Sequence, residues 1–235
     1  AKYFPEYATM RVYAGKDAAG QPRYVPAERP ITIRDVMRHT AGFAYGAGPT
    51  PAHDAYVAAD PLALTIGLPE MNRRLAKVPL LFQPGSQWSY SIGVDVQAAL
   101  VEKLSGQPFA DYVRDHIFVP LKMADTAWRQ PDARLPRFAA MNVKKDGTLG
   151  QAPDAEARML NFQDHALTPG GFGLASTLDD YQRFARMLLN KGELDGARIL
   201  KPSTVKLMAT DQLDPAITER LWLPEKGAVG FGLDF

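Results

Sequence analysis

The sequence predicts a mixed α/β protein of the α+β kind. Three observations carry that prediction. Several segments repeat apolar residues at helical spacing behind recognisable caps. The last seven residues alternate apolar side chains with glycine or aspartate, a period of two. Nineteen Gly and nineteen Pro supply more turns than a plain helix bundle uses.

Taken in order, residues 9–13 read as a strand followed by a Gly/Asp/Gln/Pro turn region. Thr32 reads as an N-cap with Asp35 three residues on, opening a helix that ends near Gly42. A second helix spans 93–104 with Val94, Val96, Leu100, Val101 and Leu104 as its apolar face, and Ser105-Gly106 stops it. A third begins at Pro108 and buries Phe109, Tyr112, Val113 and Ile117. The fourth is capped by Ser176-Thr177, has Asp179 and Asp180 at the positive end of its dipole, and closes at Asn190-Lys191-Gly192. Its stripe is Tyr181, Phe184, Met187 and Leu188. A short helix after Pro202 carries Val205, Leu207 and Met208. Residues 229–235 read as a half-buried strand, and because an isolated strand is unstable, its partners are expected in sequence beyond this chain.

Composition narrows the function. With 235 residues the chain is long enough to bury a core without disulfides or metal. It has no cysteine, which excludes zinc ribbons, Fe–S clusters and a thiol nucleophile. Lys and Arg number 27 against 26 Asp and Glu, and the densest basic run is Lys144-Lys145, so a basic nucleic-acid surface is not expected. No apolar run approaches the ~18 residues of a membrane span. The first seven residues are not a signal peptide, and the chain starts with Ala1, so residues are expected to precede it.

The motif search is mostly negative. There is no Gly-x-Ser-x-Gly, His-Glu-x-x-His or Walker loop. His39, His53, His116 and His165 fall at no ligand spacing and read as structural or exposed; no metal and no cofactor is expected. Ser203-Thr204-Val205-Lys206 has a spacing that puts serine and amine on one helix face, but serine is ordinary in a helix first turn and Lys206 borders an apolar stripe. Two segments are more specific. Pro84-Gly85 turns into Trp88-Ser89-Tyr90-Ser91 directly before the second helix. A tyrosine there either points its hydroxyl into a cleft or is a half-buried aromatic with that hydroxyl satisfied. In Thr168-Pro169-Gly170-Gly171-Phe172-Gly173, the glycines allow close approach and present one aromatic.

The order of these segments resembles the serine β-lactamase-like hydrolases: class C β-lactamases, penicillin-binding-protein-like DD-peptidases and carboxylesterases. The matching stretches are 31–43, 82–90, 101–106, 118–126 and 170–200, covering most of the chain. The resemblance implies one β-lactamase-like domain over 1–235, with an antiparallel sheet flanked by helices, a mostly helical lobe and an active site between them. It identifies Tyr90, in Tyr90-Ser91-Ile92, as the family tyrosine that shuttles a proton between serine, lysine and leaving group. Ile92 stands where β-lactamases carry an asparagine that contacts the substrate amide, so the resemblance puts Ile92 among the substrate-binding residues, with a departure that resembles the esterase pattern. Phe172 aligns with an aromatic that walls the pocket. The Ser-x-x-Lys nucleophile is expected upstream of Ala1, and the third motif beyond Phe235. The expected activity is hydrolysis of small carboxylic esters through an acyl-enzyme. The rivals are a β-lactamase or D-amino-acid peptidase on an amide substrate, and a non-catalytic binding module. Compartment and oligomeric state stay open.

Overall fold

The computed structural model describes residues 2–153, 158–218, 220–221 (backbone only) and 229–234. A short 3-10 turn, Pro5–Thr9, leads into an antiparallel hairpin of β1 (Arg11–Lys16) and β2 (Pro22–Pro26). The expected strand thus starts two residues later than 9 and runs on past 13, because Pro5 seeds a turn first.

Helix α1 is only Ile33–Met37. Its start is as the sequence predicts: Thr32 and Asp35 form a reciprocal capping box. Its end is not at Gly42. The chain leaves the helix at Arg38, and His39 takes a left-handed φ of 57°. Residues 39–44 are instead zipped to residues 81–92. Leu81 N–H donates to Gly42 O (2.7 Å), Gly85 N–H to Thr40 O (2.7 Å), Ser89 N–H to His39 O (3.0 Å) and Ile92 N–H to Ala44 O (3.3 Å). Gly42 permits this approach: its φ is +90°, and a Cβ there would lie 2.5 Å from Phe82 O.

Two helices not anticipated from sequence follow, α2 (Pro51–Ala59) and α3 (Leu68–Leu75), each with proline in its first turn. After the two-residue strand β3 (Trp88–Ser89) comes α4, Gly93–Ser105, closed by Gly106 in the left-handed region as expected. Its buried face differs from the expected stripe. Gly93, Asp95, Val96, Ala98 and Ala99 are inside, whereas Leu104 is 60% exposed. Small residues are needed there because Gly170 packs flush on α4, its Cβ position 2.3 Å from Val94 O and 3.0 Å from the Ala98 Cβ.

Pro108 is the cap of α5 (Phe109–Val113), which passes into a π-turn at Arg114–Phe118. Phe118 and Leu121 are the fully buried residues here, while Phe109 packs half-buried against the larger cluster, Val113 and Ile117 against the smaller one, and Tyr112 is half-buried. A hairpin of β4 (Asn142–Lys145) and β5 (Thr148–Gln151) is exposed on both strands. Helix α6 (Leu178–Leu189) is capped by the Thr177 side chain, and Lys191 and Gly192 turn left-handed after it. Of its expected stripe Met187 is fully buried, but Tyr181 is 61% exposed. A small hairpin, β6 (Glu193–Leu194) and β7 (Ala197–Arg198), leads to α7 (Pro202–Met208), whose Val205 is buried. The backbone of Arg220–Leu221 (β8) pairs in parallel with β3.

The described part of the expected last strand, 229–234, is not one. Leu233 N–H bonds Met208 O (3.0 Å), Asp234 N–H bonds Met37 O (2.9 Å), and Asp234 takes a φ of 56°, which breaks an extended ladder. Phe235, like Ala1, lies outside the described residues. The architecture is therefore mixed α/β with short two-stranded sheets, three antiparallel and one parallel, and no closed sheet among the described residues.

Two apolar clusters hold it. The larger joins Met10, Val12, Val36, Phe43, Met71, Leu75, Leu80, Ile92 and Val96; the smaller joins Phe118, Leu121, Met123, Met187 and Leu194. Each fully buried Leu, Ile or Met contributes about 1.5–3 kcal/mol of transfer free energy. The larger cluster anchors α1, α4 and the 39–44 segment, the three elements that meet at Tyr90.

Candidate active site

Tyr90 sits at the junction of β3 and α4, its side chain 40% exposed. Its ring lies against His39 (centroids 4.9 Å apart) and Tyr45 (5.6 Å). Behind it His39, Trp88 and Phe231 pack mutually at 5.4–5.9 Å. The aromatic neighbours pack on part of the ring and leave the residue 40% exposed.

His39 is the keystone beneath the tyrosine. It is buried, and Nδ1 accepts the Ser91 N–H (3.2 Å) and lies 3.1 Å from Ser91 Oγ. An accepting Nδ1 places the ring proton on Nε2, which faces Asp234 Oδ1 at 3.5 Å. Burial pushes the His39 pKa down to about 4, so the imidazole is neutral at pH 7 and continues to accept. Burial pushes Asp234 up to about 6, opposed by the Gln97 amide that donates to its Oδ2 at 2.5 Å. His39 thus holds the main chain on the C-terminal side of Tyr90, while its own carbonyl takes the N–H of Ser89 on the other side.

One turn along α4 is Asp95, fully buried. Its Oδ1 accepts the N–H groups of Gly170 (2.9 Å) and Gly171 (3.1 Å). Its Oδ2, and the buried Tyr56 hydroxyl, have no hydrogen-bond partner among the described residues. Burial raises the Asp95 pKa, against the pull of those two amides, and burial together with the Asp95 charge raises that of Tyr56. Burial raises Tyr45 as well, helped by Asp95 and Tyr90.

Phe172 is half-buried in the same glycine loop. The Trp128 indole N–H donates to the carbonyls of Pro169 (2.9 Å) and Phe172 (3.3 Å), and the Asn161 amide donates to Gly173 O (2.7 Å). Ile92, expected among the substrate-binding residues, is instead fully buried in the larger cluster, where its side chain supports the Tyr90 junction from the core side. Ser203 and Lys206 are both exposed on α7, in its ordinary first-turn and surface positions.

The remaining histidines stand apart. His53 bonds Thr50 Oγ1 (2.7 Å), His116 packs on Tyr112 (4.3 Å), and His165 lies 2.7 Å from Met159 O. Among the described residues no group of three or more His, Asp or Glu is placed to hold a metal ion. No helix there is long and apolar enough to cross a membrane. A cavity of about 270 Å3 lies on the far flank of the glycine loop, against Phe118, Trp128, Leu167 and Pro169, and does not include Tyr90.

The sequence points to Tyr90 and Phe172; the structure adds His39 and Phe231, packed behind Tyr90, and Asp95, bonded to the glycine loop. His39 and Ser91 are 52 residues apart, and Asp95 and Gly170 are 75 apart, so no local spacing could pair them. His39 lies just past the end of α1, in the segment His39-Thr40-Ala41-Gly42.

Comparison with known proteins gives a consistent picture. The family model described as Beta-lactamase matches residues 1–235. Protein Rv1367c of Mycobacterium tuberculosis is 34% identical over 241 residues, which cover 99% of this chain and 57% of that protein. Lovastatin esterase of Penicillium rubens is 30% identical over 216 residues, 90% of this chain and 52% of that enzyme. Among solved structures, a mutant of the simvastatin synthase of Aspergillus terreus superposes with a TM-score of 0.75 at 27% identity, covering 99% of this chain and 56% of that one. The chain spans about half the length of the curated relatives it matches.

Proposed function

The chain belongs to the Beta-lactamase family, and from that premise we propose that it carries the tyrosine half of a serine hydrolase site acting on small carboxylic esters. In the whole protein a Ser-x-x-Lys serine, supplied by sequence preceding Ala1, attacks the ester carbonyl. The phenol–phenolate couple of Tyr90 takes the serine proton as the acyl bond forms and returns it to the departing alkoxide. Water then attacks the acyl-serine and releases the acid. An alcohol in place of water gives acyl transfer by the same steps, which fits relatives named as an esterase and as a simvastatin synthase.

The observation that supports this reading is the placement of Tyr90. It is the most exposed member of an aromatic group in which His39 and Trp88 are buried and Tyr45 and Phe231 half-buried, and His39 holds its main chain on both sides. Phe172 serves as an apolar wall for the acyl group, and Ile92 backs the junction from the core. The position lacks the asparagine that the resemblance gives β-lactamases for contact with the substrate amide, which favours the ester substrate.

The test is turnover by the whole protein. Tyr90→Phe removes only an exposed hydroxyl, so folding is retained, and hydrolysis of p-nitrophenyl butyrate is expected to fall about 100-fold or more. Wild-type turnover in that variant would remove Tyr90 from the mechanism. Faster cleavage of a chromogenic cephalosporin than of any ester would favour the β-lactamase rival. Absence of covalent labelling by a fluorophosphonate would leave the binding module.

A further inference from the structure

The glycine loop beside the site is gripped through its backbone by three side chains. Asp95 Oδ1 grips two of its N–H groups from α4. Trp128 and Asn161 grip the carbonyls of Pro169, Phe172 and Gly173 from the other side. The fit on α4 is close at both glycines: a Cβ at 170 would lie 2.3 Å from Val94 O, and one at 171 would lie 3.1 Å from Asp95 Oδ2. Phe172 is the one large side chain that this grip presents. Asp95 is five residues beyond Tyr90, in the first turn of α4, the helix that Tyr90 shortly precedes, so the tyrosine and the loop are both referred to its N-terminal end.

Building on the ester-hydrolase reading, we propose that Asp95 is a positioning residue: it holds residues 170–172 against α4, and so sets which acyl chain length fits between Phe172 and Tyr90. It touches no substrate. Its effect passes through two main-chain N–H bonds whose loss would let the loop lift off the helix. A lifted loop changes how well a chain is bound more than how fast a bound carbonyl reacts. Variants of Asp95 therefore shift KM among acyl lengths while kcat on the shortest ester stays close to wild type.

The test uses the whole protein with p-nitrophenyl acetate, butyrate and octanoate, and follows amide hydrogen exchange at residues 170–171. Asp95→Ala is expected to remove that protection, to change KM for the preferred chain about 10-fold and to leave kcat on acetate within about threefold. Asp95→Asn keeps an accepting oxygen and is expected to restore both protection and chain preference. Gly171→Ala, at an exposed position, crowds the carboxylate and is expected to shift the preference severalfold, which decides the matter should Asp95→Ala fail to fold. Retained protection in Asp95→Ala, an Asp95→Asn that behaves like alanine, or an unchanged preference in Gly171→Ala would each overturn the proposal. The exchange measurement reads the clamp without turnover. A wild-type protein inactive on every ester therefore sinks the functional reading and is told apart from failure of the clamp.

Discussion

Asp35 and Asp95 occupy equivalent places, each in the first turn of a helix and each with at most 1% of its surface exposed, yet they are opposites. Asp35 is saturated. It takes both Arg29 nitrogens (2.6 and 2.9 Å), Arg38 (3.1 Å), the Thr32 N–H (2.9 Å) and hydroxyl (2.6 Å), and Thr40 Oγ1 (3.2 Å). Burial alone would raise its pKa, but Arg29 and Thr32 outweigh it and hold the carboxyl far below the usual range. Asp95 has two backbone partners on one oxygen and, among the described residues, none on the other, so burial wins and its pKa rises. Burial thus does not decide what a carboxylate does. The number and charge of its partners decide, and the half-satisfied one stands beside the candidate site.

The largest test of this contrast is Asp35→Ala, which strands Arg38 and opens the capping box. Urea titration is expected to show a loss of about 2–4 kcal/mol, a figure already discounted for the exposed Arg29 side. A loss below about 1 kcal/mol would mean that the ion pairs contribute little. Asp95→Asn is expected to stay within about 1 kcal/mol of wild type at neutral pH, since the amide keeps an acceptor and buries no charge.

The two carboxylates also bend stability in opposite directions with pH. The folded pKa of Asp35 is depressed, so its contribution is present above about pH 4 and is lost as pH falls below it. The folded pKa of Asp95 is raised, so its contribution is full below about pH 4 and is lost as pH climbs through the raised value. Asp95→Asn should therefore flatten the stability curve on the rising side of pH 4 and leave the acid limb intact. Loss of the acid limb in that variant would reverse the assignment. The smallest effect expected is from Tyr56→Phe. Deleting a buried hydroxyl that has no partner among the described residues should be neutral or stabilise by up to about 1 kcal/mol. A clear loss in thermal melting would reveal a partner for it.

The same contrast explains what could be read from sequence. Thr32 with Asp35, and Thr177 before α6, were legible because a cap is satisfied within three residues. The stop of α4 at Gly106 was legible for the same reason. The end of α1 was not, because bonds from Ser89 and Gly85, distant in sequence, draw His39 and Thr40 out of the helix. The face of α4 was misplaced because periodicity counts large apolar residues. The loop at 170 instead requires Ala98 and a carboxylate inside, and Gly93 is needed where α4 meets Val36 O of α1. Alternation at 229–235 mimicked a strand, while Phe231 and Leu233 are buried to differing degrees by tertiary contacts without a ladder. Tyr90 was visible by its motif; the groups that hold it, His39 and Asp95, act across distances that sequence spacing does not encode.

The way the glycine loop is held has one more consequence. Carboxylate, indole and amide all grip its main chain, and none of these bonds depends on which side chain stands at 172. Those bonds survive a change of side chain at 172, so a smaller or larger group there costs the scaffold only the packing of a half-buried ring. Substrate range can therefore drift by mutation at this position while the loop keeps its anchors.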